Sequence, residues 1–151
     1  MIDGVQVERL QCHVDERGRL TELFRADDGL CELFGQVHVT TVQPGAIKAW
    51  HRHLETTDVI APVSGTARLG LADDRDGSKT EGQMNEFFLT PLDPMKVLIP
   101  PGVWFGLKGV GTSEAVVAVF SDRLYDPKDP DQQRLDPLVN ELPFDWDRRD
   151  G

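Results

Sequence analysis

The chain has 151 residues and a formal net charge of −10, from 26 acidic and 16 basic side chains, with ten prolines and fourteen glycines spread along it. A field of that sign repels phosphate backbones and anionic lipid, which argues against nucleic-acid and membrane partners, while the length suits one domain with a substantial core. Cys12 and Cys31 are too few for a disulfide framework or a thiolate zinc site, and neither an apolar leader nor a membrane-spanning run is present, so a soluble cytoplasmic protein is expected.

From the N-terminus, residues 5–14 roughly alternate apolar and polar, and Asp-Glu-Arg-Gly at 15–18 supplies turn chemistry before Leu-Thr-Glu-Leu-Phe at 20–24. This reads as a strand, a turn and a strand. Residues 26–35 read as a loop with one helical turn. The next ten, QVHVTTVQPG, are rich in β-branched residues, place His38, Thr40 and Val42 on one face, and end in a Pro-Gly turn. That strand is expected to run beside the one carrying His51. After Gly65, TARLGLADDRDGS alternates and then breaks in a hairpin signal whose acidic run, 73–76, reads as a solvated turn. Three further apolar runs, EFFLT at 86–90, KVLIP at 96–100 and EAVVAVF at 114–120, are bounded by Pro or Gly. Regularly spaced short strands without a helical period predict an all-β fold, either a barrel or a double-sheet jelly roll. Residues 122–151 change to Asp, Pro and Gln, and are expected to wrap the barrel as a tail pinned by Phe144 and Trp146, within a single domain spanning 1–151.

The most informative stretch is GAIKAWHRHLETTDVIAPVSG, residues 45–65. His51 and His53 differ by two positions, so on a strand both imidazoles leave the same face, and Asp58 can come back alongside them on the returning strand. Two imidazoles and a carboxylate aimed at one interior point can hold a divalent metal, or can give a general base with an orienting partner. The residues by themselves leave both open, beside a third reading in which they are interior polar groups hydrogen-bonded to one another.

The spacing from Gly45 to Gly65 resembles the first motif of the cupins, with Asp58 where glutamate is common, and Ile99-Pro-Pro-Gly102 looks like the core of the second. Within the cupins, whose fold is a double-stranded β-helix, the chain resembles the dTDP-4-dehydrorhamnose 3,5-epimerases. The likeness runs through Asp15 to Gly18 with Glu22, the stretch from Gln36 to His51, Ile99 to Gly106, and the closing pattern of Tyr125, Pro127, Asp136-Pro137 and Trp146. It implies a homodimeric isomerase acting without a cofactor on a dTDP-linked 4-keto sugar in deoxysugar or polysaccharide synthesis. His51 falls at the family's general base, Lys48 where an arginine is usual, and Asp136 is the nearest match to the aspartate that orients the base. His38 matches a polar pocket residue. Arg17 and Glu22 match residues that contact the nucleotide across the dimer interface. The family's lysine, second-motif histidine and tyrosine fall on Asp58, Phe105 and Val119.

These departures matter because epimerisation beside a ketone needs a base, an acid on the far face, and donors for the enolate. A simpler keto-sugar isomerisation needs one base shuttling a proton on one face, and His51 with His53 or Asp58 can supply that. Trp104, beside the Pro-Pro-Gly turn, can stack on a base or sugar ring or plug the barrel mouth. Two alternatives stand beside the epimerase. One is a small cupin holding Fe, Mn, Ni or Zn through His51, His53 and Asp58 for an oxygenase or isomerase reaction; the other is a sugar-nucleotide-binding cupin without catalysis.

Overall fold

β-Branched and apolar runs cut at short intervals by Pro and Gly give strands of two to seven residues, and the computed structural model, which describes residues 1–27, 29 and 33–147, contains no helix among them. The strands are β1 (Gln6–Arg9), β2 (Cys12–Asp15), β3 (Gly18–Thr21), β4 (Gln36–Val42), β5 (Ile47–Arg52), β6 (Asp58–Ser64), β7 (Thr66–Ala72), β8 (Met84–Leu89), β9 (Met95–Ile99), β10 (Trp104–Val110), β11 (Ala115–Ser121) and β12 (Gln133–Arg134). One five-stranded sheet has the order β1-β9-β6-β11-β4 and a second β12-β5-β10-β7-β8, with β2 and β3 forming a separate hairpin. Pairing between these strands is antiparallel throughout. Two facing antiparallel sheets with this crossing connectivity make the jelly roll that the strand spacing predicts.

The chain crosses from the first sheet to the second at Gly65. Its φ is +66°, and a Cβ there would lie 2.3 Å from the Glu114 carbonyl oxygen, so only glycine fits the turn without displacing β11. Between the sheets lies the main core, with Val42, Ile60, Leu69, Leu71, Val97 and Val117 all buried. The second sheet also buries its outer face. Residues alternate along β5 and β10, so Trp50 and Trp104 point away from the faces that carry His51 and Phe105. They meet Trp146 in a second cluster. The segment after β11 reaches that side by adding β12 to the edge of β5, and Trp50 and Leu135 then exchange main-chain hydrogen bonds of 3.0 and 3.2 Å. Arg68 donates to the carbonyls of Asp145 and Asp147, and Lys108 to that of Trp146, which supplies acceptor partners for two cations on the sheet.

Several local expectations need correction. Residues 5–14 form two strands, because the chain leaves β9 after Leu10 bonds the Pro94 carbonyl and restarts in the β2–β3 hairpin. β4 does not run beside β5; it pairs with β11 in the opposite sheet, so His38 faces β5 across the interior. Asp58 likewise does not return alongside β5, since β6 pairs with β9 and β11 and meets the histidines from the facing sheet. The 73–76 turn is not simply solvated: the Asp73 side chain is fully buried, accepting from Arg75, Ser78 and Thr80. WFGLKGV, not recognised as a strand from its sequence, is β10: its two inner glycines weaken the β signal, Gly106 fitting against Ala49 and Trp146 and Gly109 against the backbone at the end of β4. The helical turn expected within 26–35 falls on a segment of which 28 and 30–32 lie outside the described residues, as does Cys31. Among the described residues no helix is long and apolar enough to cross a membrane.

Candidate active site

The sheets part at one end around a cavity of about 1010 Å³. One wall is β5 and β10. His51 and Phe105 are register partners, and the Phe105 ring lies 5.8 Å from the His51 ring and 5.9 Å from the His53 ring, nearly parallel to the latter. The floor is apolar, from Ile60, Leu107 and Val119, while His38 and Thr40 of β4 close the far wall. The rim comes from the loop after β5 and the segment after β11, which bring Glu55, Arg123 and Tyr125 to the opening.

His51 is half-buried, and burial pushes its imidazole below the ordinary value of 6.5, an effect reinforced by the positive charges of Arg134, His53 and Lys48. At neutral pH it is a free base. Gln132 presents Nε2 to His51 Nδ1 at 3.3 Å, and Arg134 fixes that amide by donating to its Oε1 at 2.9 and 3.1 Å. That contact is longer than a usual hydrogen bond, and Gln132 positions the ring rather than claiming its lone pair. Lys48 Nζ lies 3.4 Å from Thr40 Oγ1 on the cavity wall, bringing a cation next to the bases.

His53 is held at both nitrogens. Its Nδ1 bonds the main-chain carbonyl of Asp131, and its Nε2 faces Asp58 Oδ2 at 3.4 Å. The Asp131 carboxylate in turn accepts from the amides of Leu54, Glu55 and Thr56 and from the Thr56 hydroxyl, at 2.8 to 2.9 Å. Burial pushes Asp131 up, but these donors outweigh it and leave the carboxyl below the usual range. Asp58 is buried, and Ser121 Oγ donates to its Oδ1 at 2.6 Å. Burial raises the Asp58 carboxyl above its ordinary value, opposed by Ser121, His53 and His38 and supported by Asp122.

The geometry thus brings together His38, Lys48, His51, His53 and Asp58. It does not bring in the others. Asp136 is exposed and caps its own turn, accepting from Leu138 and Val139 at 2.8 Å, so it does not orient His51; Gln132 holds the facing position. Trp104 lies on the opposite face of β10 from Phe105, buried beneath the Arg52 guanidinium and donating to Asp74 at 2.8 Å, so it stacks on no cavity ligand. Arg17 pairs with Asp15 at the hairpin and Glu22 with Arg25, both outside this chain's cavity. His51, His53 and Asp58 do not assemble as an ion site: among the described residues no three His, Cys, Asp or Glu groups are placed to hold one, since His53 has both nitrogens engaged and Asp58 is paired with it. Sequence reading missed Tyr125, Asp131 and Gln132 as cavity residues. Two signals pointed to Tyr125, its place in the closing pattern and its being the only tyrosine in the chain.

The polysaccharide biosynthesis C-terminal domain family matches residues 13–133. A spore coat polysaccharide biosynthesis protein of Bacillus subtilis is 37% identical over 146 residues, covering 97% of each chain. A probable low-salt glycan biosynthesis epimerase of Haloferax volcanii is 33% identical, covering 96% of this chain and 94% of its own. Among solved structures, a dTDP sugar isomerase from Desulfovibrio desulfuricans superposes with a TM-score of 0.90 at 29% identity, over 96% of this chain and 92% of that one.

Proposed function

Because the chain belongs to the polysaccharide biosynthesis C-terminal domain family, with the cupin fold of the dTDP-4-dehydrorhamnose 3,5-epimerase type, we propose that it is an epimerase or isomerase of a dTDP-linked 4-keto sugar. The observation that carries this reading is a free-base histidine, His51, set half-buried in a cavity large enough for a sugar nucleotide. A hydrogen on the carbon beside a ketone is acidic because the electron pair left behind delocalises onto the carbonyl oxygen. His51 takes that proton, and the enolate oxygen gains its charge inside a partly dry cavity where Lys48, on the wall beside Thr40, offers a compensating cation. The proton transfer uses protein groups throughout and routes no step through a metal.

The net charge of −10 disfavours an anionic substrate at long range, so the diphosphate needs local cations. Arg123 supplies one at the rim. Arg17 supplies a second in a homodimer: the β2–β3 hairpin stands apart from both sheets and leaves Val14 and Leu20, one on each of its faces, 76% and 59% exposed, apolar groups that a second copy can cover while Arg17 and Glu22 reach that copy's cavity. An arginine fork suits a diphosphate because it holds two oxygens at once.

Thermal unfolding with dTDP and with UDP tests the ligand class: dTDP at millimolar concentration raises the midpoint, and no rise with either would overturn the reading. Solvent deuterium entering a dTDP-4-keto sugar, and failing to enter with His51→Asn, tests the chemistry. Stabilisation by dTDP without exchange would identify a binding protein instead.

A further inference from the structure

Inversion at a carbon requires a proton to arrive on the face opposite the one it left, and the mechanism above names only the base. His51 stands on β5 in the second sheet, and Lys48 and His53 belong to the same wall. A donor for the other face must come from the first sheet. Among the described strand residues that this sheet contributes to the cavity lining, two titrate, His38 and Asp58. Asp58 is 3% exposed, and Ser121 occupies its Oδ1. His38 is exposed, and no hydrogen bond to another described residue ties up its ring.

The strand fixes where His38 points. Val42 is buried in the core, so with a period of two Thr40 and His38 leave β4 on the same inner face. The register partner of His38 on β11 is Val119, part of the apolar floor, and partners across a pair of strands present their side chains to one face. One contact shows how the two walls meet: Lys48 Nζ of β5 lies 3.4 Å from Thr40 Oγ1 of β4. The chain doubles back at residues 43–46, where the Ala46 amide donates to the Gln43 carbonyl at 3.0 Å. A step away from that turn leads from Thr40 to His38 on one wall and from Lys48 to His51 on the other. Three residues rather than two separate Lys48 and His51 because the β5–β10 register shifts between Phe105 and Leu107, so both side chains still face inward. The two imidazoles therefore oppose each other where the sheets part around about 1010 Å³, room for a sugar ring between them. The other charged and titratable groups facing that gap are Lys48 and His53 from β5, Asp58 from β6 and Tyr125 from the segment after β11.

We propose that His38 is the acid of this site, delivering a proton to the sugar carbon from the face opposite His51. The inference rests on the epimerase reading. In the step, His51 accepts the proton from the carbon beside the ketone while the C–H electron pair becomes the enolate. The enolate carbon then takes a proton from the His38 imidazolium on its other face, its electron pair forms the new C–H bond, and the ketone re-forms. One proton has moved from His38 to His51, and both rings reset by exchange with water. The exposure of His38 suits this role, since an acid that has spent its proton must be recharged before the next turnover. Histidine is the side chain best fitted to lose and regain a proton near neutral pH.

The test separates exchange from inversion. With dTDP-4-keto-6-deoxyglucose in deuterated buffer, the wild type incorporates deuterium beside the ketone and inverts that carbon. His38→Gln and His38→Asn still incorporate deuterium, because His51 returns it to the face it came from, while inversion falls about 100-fold or more. Both variants keep the wild-type rise in unfolding midpoint with dTDP, which shows the site intact. Equal loss of exchange and inversion would reduce His38 to a substrate contact, and undiminished inversion would remove it from the step. Separation of the two readouts by Tyr125→Phe in place of the His38 variants would also overturn the assignment, as would wild-type exchange without inversion. Absence of exchange in the wild type is a different failure: it refutes the epimerase reading itself, and the assignment of His38 with it.

Discussion

The proposed base, His51, owes its protonation state to where it sits, and that makes the role testable. Its imidazole lies below 6.5, pushed down by burial first and by neighbouring cations second, so it is unprotonated across the neutral range. Activity as kcat/KM therefore falls on acidification with its midpoint below 6.5; a profile with its acid midpoint above 6.5 contradicts this. The stability sign is the same. The unfolded chain binds a proton that the folded one resists, so the His51 contribution is present above the unfolded value and lost on acidification. His51→Asn is expected to lower turnover by roughly 10² to 10⁴-fold with an unchanged circular dichroism spectrum. At this scale the two-residue spacing made His51 and His53 legible, because strand geometry turns it directly into a shared face. Asp136 and Trp104 misled for the same reason. Motif position says nothing of which way a side chain leaves a strand or a tail.

The elements owe much of their stability to what covers their ends and edges. Trp146 is 3% exposed and packs on Trp50 and Phe144, with ring centres 5.0 and 4.5 Å away. Trp146→Ala should cost about 3–5 kcal/mol in urea unfolding, and release of the tail should also disturb the β12–β5 pairing beside His51. Gly106 lies under the same ring, and a Cβ there would sit 2.3 Å from Ala49 Cβ, so Gly106→Ala should destabilise by about 1–3 kcal/mol through forced separation of β10 from β5. At the β7–β8 turn, Arg75 first, then Thr80 and Ser78, hold the Asp73 carboxyl far below 3.8 against the opposing effect of burial. Its contribution is present above the unfolded value and lost as pH falls below it. Asp73→Ala should cost about 1–3 kcal/mol at pH 7 and much less near pH 2, measured by denaturant midpoints. The alternating pattern foretold this hairpin. The burial of Asp73 was hidden because its partners lie within seven residues and form a cradle that composition reads as solvated turn.

For the molecule as a whole, the proposed homodimer places the hairpin of one copy on the next. Replacing Val14 and Leu20 together with Asp should shift the protein to monomer in sedimentation and weaken dTDP binding, whereas a wild-type monomer with full dTDP affinity would sink the shared-site idea. The amino-acid sequence determined the all-β architecture, because a period of two, β-branched runs and Pro-Gly breaks are local properties that each segment carries with it. It also determined the identity of the His51-His53-Asp58 cluster. Tertiary structure alone decided which sheet each strand joins. Asp58 and His38 reach the histidines from the opposite sheet, and a tail some 80 residues downstream delivers Asp131 and Gln132 to them. Such contacts form between segments whose own residues carry no mark of the partner, since burial, sheet order and hydrogen-bond geometry arise only when distant strands close on one core.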